Sequence, residues 1–419
     1  MTQAPGLSEL EPAVYLLKPG IQHYAWGDRA FIPNLLGIPN PKNLPYAEVW
    51  IGAHPLLPAR IVVGGRERRL DALIEQDPQR LLGARVAESF GQLPFLLKIL
   101  AASQPLSLQV HPSAEQAREG FNREERAGIP RDAPTRNYKD PNHKPELVVA
   151  LTDFYALRGF RPLKEIAAVL AGAPELAALA EGFDPTGAGL RRLLERILTA
   201  PQETVDQALG SWTARLKKEA GEKLFSREEH NFWVLKAAEI FCTRNTYDRG
   251  LPVITLLNLV HLQPGQGLFL PAGTLHAYLE GAAVEIMANS DNVLRCGLTK
   301  KHIDVPELLR IARIEPDPPR ILVPESAGGP GVQRYKTPTQ EFELVSIDLP
   351  GGKPLELNTV PSPQLGFIYR SGGGEAVEVS AGGSKLSLSR GGAFFAPPDV
   401  SVRLASPSGA VAFAARVPS

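Results

Sequence analysis

The stretch LVHLQPGQGLFLPAGTLHAYLEGAAVEIMANSDNVLRCGLTKKHI, residues 259–303, decides the fold of this 419-residue chain. It reads as strand, turn, strand, turn, strand. Pro264-Gly265-Gln266-Gly267 makes one turn, because proline presets a backbone angle and glycine tolerates positive φ; Pro271-Ala272-Gly273-Thr274 repeats that punctuation after a short apolar run. His276 follows almost at once. Alternation then places His276 and Tyr278 on one face of a strand. Gly281 is expected to permit a tight reversal, after which Glu285 and Met287 share a face of the next strand.

Working upstream, the run from Pro94 to Leu100 is apolar except for Lys98. A strand buried on both faces does not carry an ammonium without a partner, so Lys98 marks either a partnered interior cation or an edge strand whose amine reaches water. Next, Leu106, Leu108 and Val110 share one face and force Ser107, Gln109 and His111 onto the other, which can be solvent or the lumen of a barrel. Ser113 is placed to cap a helix opening at Ala114. A charged, proline-bearing excursion from Arg118 to Asn142 returns at HKPELVVAL, where Glu146 begins a strand rich in branched residues. From Tyr15 to Arg69, short apolar runs between Gly, Pro and Asn favour antiparallel β structure. Trp26 and Trp50 are large enough to fill a core there, and His23 and His54 read as structural.

From about Arg161 to Phe241 the period becomes helical. Leu190, Leu193, Leu194, Ile197 and Leu198 form one stripe, and Val205, Ala208, Leu209, Trp212 and Leu216 another. Ser226 and Glu229 form a capping box ahead of Phe232. A mainly β chain with an inserted α-helical domain is therefore expected: residues 1–158 plus 248–305 form one discontinuous unit, 159–247 the insert, and 306–419 a second β-sandwich. That last part contains no histidine, so it is not expected to repeat any metal chemistry.

Composition narrows the function classes. Forty-five lysines and arginines balance forty-five aspartates and glutamates, which argues against nucleic-acid or membrane-surface binding through bulk charge. The opening MTQAPGLSELEPAV lacks a basic start followed by an apolar core, and the cytoplasm is the expected compartment. Two cysteines, Cys242 and Cys296, suggest buried thiols rather than a disulfide framework. Gly265-x-Gly267 lacks the further glycine and lysine of a P-loop, which disfavours nucleotide transfer.

HAYLEG, VEIMANSDNVLR and GLTKKHIDV, with YAEVWIGAHP, LPFLLKIL, LSLQVHP and NHKPELVVAL upstream, resemble the signature segments of the type I phosphomannose isomerases. Gly265, five residues, Pro271-x-Gly273, two residues and His276 are similar to the second motif of the cupin superfamily, with Glu280 where that pattern usually has asparagine. The resemblance implies cupin-type jelly-roll barrels and one Zn2+ per chain held by Gln109, His111, Glu146 and His276. Two imidazoles and a carboxylate suit zinc, and a neutral amide leaves the ion a strong Lewis acid. It further implies reversible interconversion of mannose 6-phosphate and fructose 6-phosphate.

A second set, Lys98, Lys144, Arg295 and Lys301 with Ser107 and Glu285, fits an anionic substrate, since lysine and arginine bind phosphate by charge-assisted hydrogen bonds. Taken alone, Lys300 and Lys301 also read as a solvated surface pair. The expected roles are Arg295 as stabiliser of developing charge, Glu285 as the proton-moving carboxylate with Lys144 as the alternative, and Ser107, Lys98 and Lys301 at the phosphate end. Trp26 matches a family position that the resemblance places near the pocket mouth. The partner is a small phosphorylated sugar, with no nucleic acid or membrane, and the chain is expected to be a monomer or weak homo-oligomer. Two rivals remain: an iron-dependent cupin dioxygenase, which leaves the cations unexplained, and a sugar-phosphate sensor without turnover.

Overall fold

A computed structural model describes residues 10–418. His276–Ala288 is one continuous thirteen-residue strand, and the reversal expected at Gly281 does not occur. Its first half pairs antiparallel with Phe154–Phe160 and, at His276, with Gln109. The second half lies between Phe95–Ala102 and Glu146–Ala150. Gly281 takes φ 122°, where a Cβ would come within 2.4 Å of the Asp153 carbonyl oxygen, so the bend admits no side chain. Just before it, the register slips between Tyr278 and Glu280.

Such a bulge exchanges the two faces of a strand. Even-numbered His276 and Tyr278 therefore look into the same interior as odd-numbered Glu285, and the Tyr278 hydroxyl donates to Glu285 Oε1 at 2.7 Å. On the outer face the switch is equally plain. Ala277 and Leu279 pack into the core shared with the helices, whereas Val284 and Ile286 pack into the core shared with the C-terminal strands. The sheet containing this strand has eleven strands among the described residues. It folds round an interior floored by Leu100, Val148, Ala150, Phe154, Leu268 and Leu270, which leaves the polar side chains stacked above an apolar base.

Lys98 lies on a central strand, not an edge: all eight residues of Phe95–Ala102 are buried, with Glu48–Gly52 on its other side. Among the described residues, the C-terminal part is a sandwich of a nine-stranded and a four-stranded sheet closed over Ile347, Ile368, Val379, Phe394 and Leu404. Three strands of the larger sheet come from the N-terminal segment. Tyr15–Lys18 pairs with Ala393–Ala396 and with Arg60–Val63, which in turn pairs with Arg66–Arg69. Position in the sequence therefore did not reveal sheet membership, because these strands cover an edge that the C-terminal strands leave exposed.

Both helical stripes are buried as the periodicity requires, on Gly187–Thr199 and Gln202–Glu222. Ser113 forms a full capping box with Gln116. Ser226 does not cap a helix: its N–H donates to Glu229 Oε2 at 2.8 Å, but the helix begins at His230, with Glu229 extended at its N-cap. That pair closes the preceding turn. Both cysteines are free thiols, and no helix among the described residues is long and apolar enough to cross a membrane.

The excursion after Arg118 is anchored on the helix Val305–Ile311. Glu307 Oε1 accepts from the Tyr138 hydroxyl at 2.5 Å, from Arg123 at 2.6 Å and from Arg310 at 2.7 Å. Burial works against the carboxylate, but Arg310, Tyr138 and Arg123 together hold Glu307 down to about 2. A carboxyl depressed in the folded state stabilises above its unfolded value, near 4.5, and that contribution fades as pH falls towards 2. Discounting for the half-exposed arginines, about 1–2 kcal/mol is expected at neutral pH. Glu307→Gln should therefore melt below the wild type at pH 7, with the gap narrowing below pH of about 4.5. A pH-independent gap in paired thermal melts would contradict this.

Candidate metal centre and anion-binding site

Three strands and one turn bring the expected ligands together. Leu108–Val110 carries Gln109 directly opposite His276, Glu146 opens its strand, and His111 follows Val110. His111 Nε2 lies 3.4 Å from Glu146 Oε1, and His276 Nε2 lies 3.3 Å from Glu146 Oε2. One donor atom from each of these three residues lies within 4.8 Å of the others. Gln109 Nε2 stands 3.4 Å from His276 Nε2, and the two ends of a carboxamide exchange by a half-turn, so its oxygen can face the same point.

The chemistry of this cluster fits a divalent cation. His111 Nδ1 is 2.7 Å from the Asn292 carbonyl and His276 Nδ1 is 2.9 Å from the Thr274 carbonyl, so each Nδ1–H donates outward and each Nε2 keeps its lone pair for the centre. His111 Nε2 and Glu146 Oε2 are buried with no hydrogen-bond partner. Orphaned buried acceptors are costly, and an ion between them removes that cost. Burial pushes the His111 imidazole down to about 4, which keeps it neutral at physiological pH. Burial opposes charge on Glu146, yet its carboxyl is held well below the ordinary range; with His111 neutral, the positive charge against it is the Lys144 ammonium, 3.3 Å from Oε1.

Beside the centre lies a buried carboxylate–ammonium chain. Lys98 Nζ is 3.0 Å from Glu285 Oε2 and 3.6 Å from Glu48 Oε1, and Trp50 Nε1–H donates to Glu48 Oε2 at 2.8 Å. Burial works against the Lys98 ammonium, but Glu285 and Glu48 outweigh it and raise its pKa. With two carboxylates to one ammonium, Glu285 is pushed up by burial, Lys98 pulling the other way. Lys98 is thus held by two carboxylates. Arg295 is opposite Gln109 in the strand pairing. Burial lowers the pKa of Lys301, and the charges of Arg295 and Lys139 lower it further. Among the described residues no carboxylate pairs with Arg295 or Lys301, so both positive charges are available to an incoming anion.

Comparison with known proteins decides between the rivals. The sequence model of the phosphomannose isomerase type I catalytic domain matches residues 14–163. Mannose-6-phosphate isomerase of Salmonella typhimurium is 42% identical over 334 residues, 78% of this chain and 82% of that protein. The Homo sapiens mannose-6-phosphate isomerase is 31% identical over 435 residues, covering 96% and 98%. The chain belongs to the type I phosphomannose isomerase family. A solved mannose 6-phosphate isomerase in its zinc-bound form superposes with a TM-score of 0.84 at 37% identity, covering 96% of this chain and 99% of that one. The Salmonella typhimurium enzyme bound to its substrate fructose 6-phosphate and zinc gives the same score, identity and coverage.

Within this phosphomannose isomerase fold, two further expected residues have surroundings of their own. Trp26 is half-buried and stacks on Tyr24 at 5.7 Å, with its carbonyl accepting from the Ser103 hydroxyl at 3.1 Å. Ser107 is half-buried, two residues before Gln109. Sequence reasoning passed over Glu48, Asn292, Asp291 and Lys139. Asn292 is fully buried; besides receiving His111 through its carbonyl, its Oδ1 accepts the Lys139 N–H at 2.7 Å and its Nδ2 donates to the Asp140 carbonyl at 2.7 Å. His54, read as structural, is buried 3.4 Å from Asp291 Oδ1. The available signal was position: Asn292 and Asp291 lie inside NSDN, and Glu48 inside YAEVWIG.

Proposed function

We propose that this chain is a zinc-dependent isomerase that interconverts mannose 6-phosphate and fructose 6-phosphate. The observation that carries this reading is the convergence of His111, Glu146, His276 and Gln109, with two orphaned acceptors, beside the unpaired cations Arg295 and Lys301. We assign the four converging residues as the ligands of one Zn2+. Bound there, zinc supplies Lewis acidity to the two substrate oxygens over which negative charge spreads.

The chain's own groups would do the rest. Isomerisation removes a proton from the hydroxyl-bearing carbon, passes through an enediolate, and returns the proton to the neighbouring carbon, while the hydroxyl proton passes from the one oxygen to the other. Glu285 is assigned as the group that moves it, because it is a buried carboxyl facing the same interior as His276 and burial pushes its pKa up, which favours taking up a proton. Lys98 and Tyr278 fix its two oxygens. Lys144, against Glu146, is the alternative proton carrier. Arg295 is assigned to the developing negative charge, and Lys301 with Ser107 to the phosphate, with Trp26 near the mouth. Lys98, first expected at the phosphate end, is assigned instead to orienting Glu285, because two carboxylates already hold its ammonium.

The architecture is read as cupin-type jelly rolls. Residues 1–158 plus 248–305 would form the metal-holding unit, 159–247 its helical insert, and 306–419 a C-terminal jelly roll whose larger sheet takes up N-terminal strands. The cytoplasm and a monomer or weak homo-oligomer complete the reading. The direct test is turnover by the zinc-loaded protein, following fructose 6-phosphate formed from mannose 6-phosphate. Turnover is expected with that substrate and to be far weaker with unphosphorylated mannose. Equal rates on the two sugars, or none on either, would refute it.

A further inference from the structure

The segment joining Arg295 to Lys301 has an unusual backbone. Gly297 takes φ 154° and Leu298 φ 54°, and Leu298 is a buried, branched residue in a conformation that favours glycine. The strand also slips register between Arg295 and Gly297. One side chain spans the turn that follows. Asp248 Oδ1 accepts the Leu298 N–H at 2.7 Å, and its Oδ2 accepts the Thr299 N–H at 3.1 Å. The same Oδ1 accepts the Gly250 N–H at 2.7 Å, tying the turn to the start of the helix Gly250–Leu256. Thr299 Oγ1 then accepts the Lys301 N–H at 3.1 Å. Gly250 and Gly297 pack backbone to backbone: a Cβ on Gly297 would lie 2.5 Å from Gly250 Cα, and one on Gly250 would lie 2.8 Å from the Leu298 nitrogen.

We propose that Asp248 is a positioning residue for the anion site: by clamping the turn at residues 297–299 it fixes the directions in which Arg295 and Lys301 project. This deepens the proposed function and rests on its reading that Arg295 and Lys301 receive the phosphorylated sugar. The strained turn gives the clamp its purpose. Without the carboxylate, Leu298 relaxes out of its left-handed conformation, and the two cations on either side of the turn lose their fixed separation. Zinc ligation is untouched, because Asp248 holds none of the four ligands.

The test is inorganic phosphate binding to zinc-loaded protein by calorimetry, alongside zinc content, melting temperature and steady-state kinetics, for Asp248→Asn and Gly250→Ala. Asparagine keeps one acceptor but offers an N–H where the Thr299 N–H needs an oxygen; the Gly250 methyl pushes on the same turn from the other side. In both variants phosphate affinity and the KM for mannose 6-phosphate are expected to worsen about tenfold or more, with zinc retained. Unchanged phosphate affinity in both folded variants would overturn the proposal, as would phosphate loss that tracks zinc loss. A wild type that binds phosphate without turnover would instead count against the isomerase reading and leave the clamp standing.

Discussion

Arg295→Ala is expected to keep its zinc and to lose turnover by about a hundred- to a thousandfold. Arg295 stands opposite Gln109 in the strand pairing, half-buried and without a carboxylate partner among the described residues. An unpaired, partly desolvated cation is most valuable where charge appears only during reaction, because little of its field is cancelled beforehand. Its loss should therefore fall mainly on kcat, with a smaller rise in KM since Lys301 and Lys139 remain. Removing a positive group does not weaken cation binding. Metal analysis and kinetics on one preparation check both halves, and a variant that loses zinc along with activity would show that Arg295 supports the metal centre.

The opposite pattern is expected for His276→Ala, with zinc and turnover lost together. His276 faces Glu146 at 3.3 Å and is oriented by the Thr274 carbonyl, so its removal takes one of the converging donor atoms out of the proposed ligand set. Outer-sphere partners of a metal site are worth about 10–100-fold in affinity, and deletion of a direct ligand should exceed that. Equilibrium dialysis against zinc would measure the loss. Full zinc occupancy at micromolar free metal in the variant would remove His276 from the ligand set.

The sequence carried the converging residues more clearly than their setting. Alternation alone put Gln109 and His111 on one face and His276 with Tyr278 on another, and the structure joins those faces. It could not say that Glu285 shares their interior, because a bulge reverses the alternation between residues 278 and 280, and a lone glycine there reads equally well as a reversal. Lys98 was legible as a misfit in an apolar strand. Its partners were not, since Glu48 and Glu285 come from strands distant in sequence. Asn292 and Asp248 act through backbone carbonyls and amides of other segments, contacts that leave no spacing pattern. The N-terminal strands were recognisable as strands, but which sheet they join depends on the edge they cover.

The most direct measurement is an anomalous difference map, recorded at the zinc absorption edge, from crystals of the zinc-loaded protein. One peak per chain is expected, about 2.0–2.2 Å from His111 Nε2, His276 Nε2 and a Glu146 oxygen, with the Gln109 carboxamide oxygen turned towards it. A strong peak elsewhere, with these four side chains ligating nothing, would contradict the metal centre and the isomerase reading built on it.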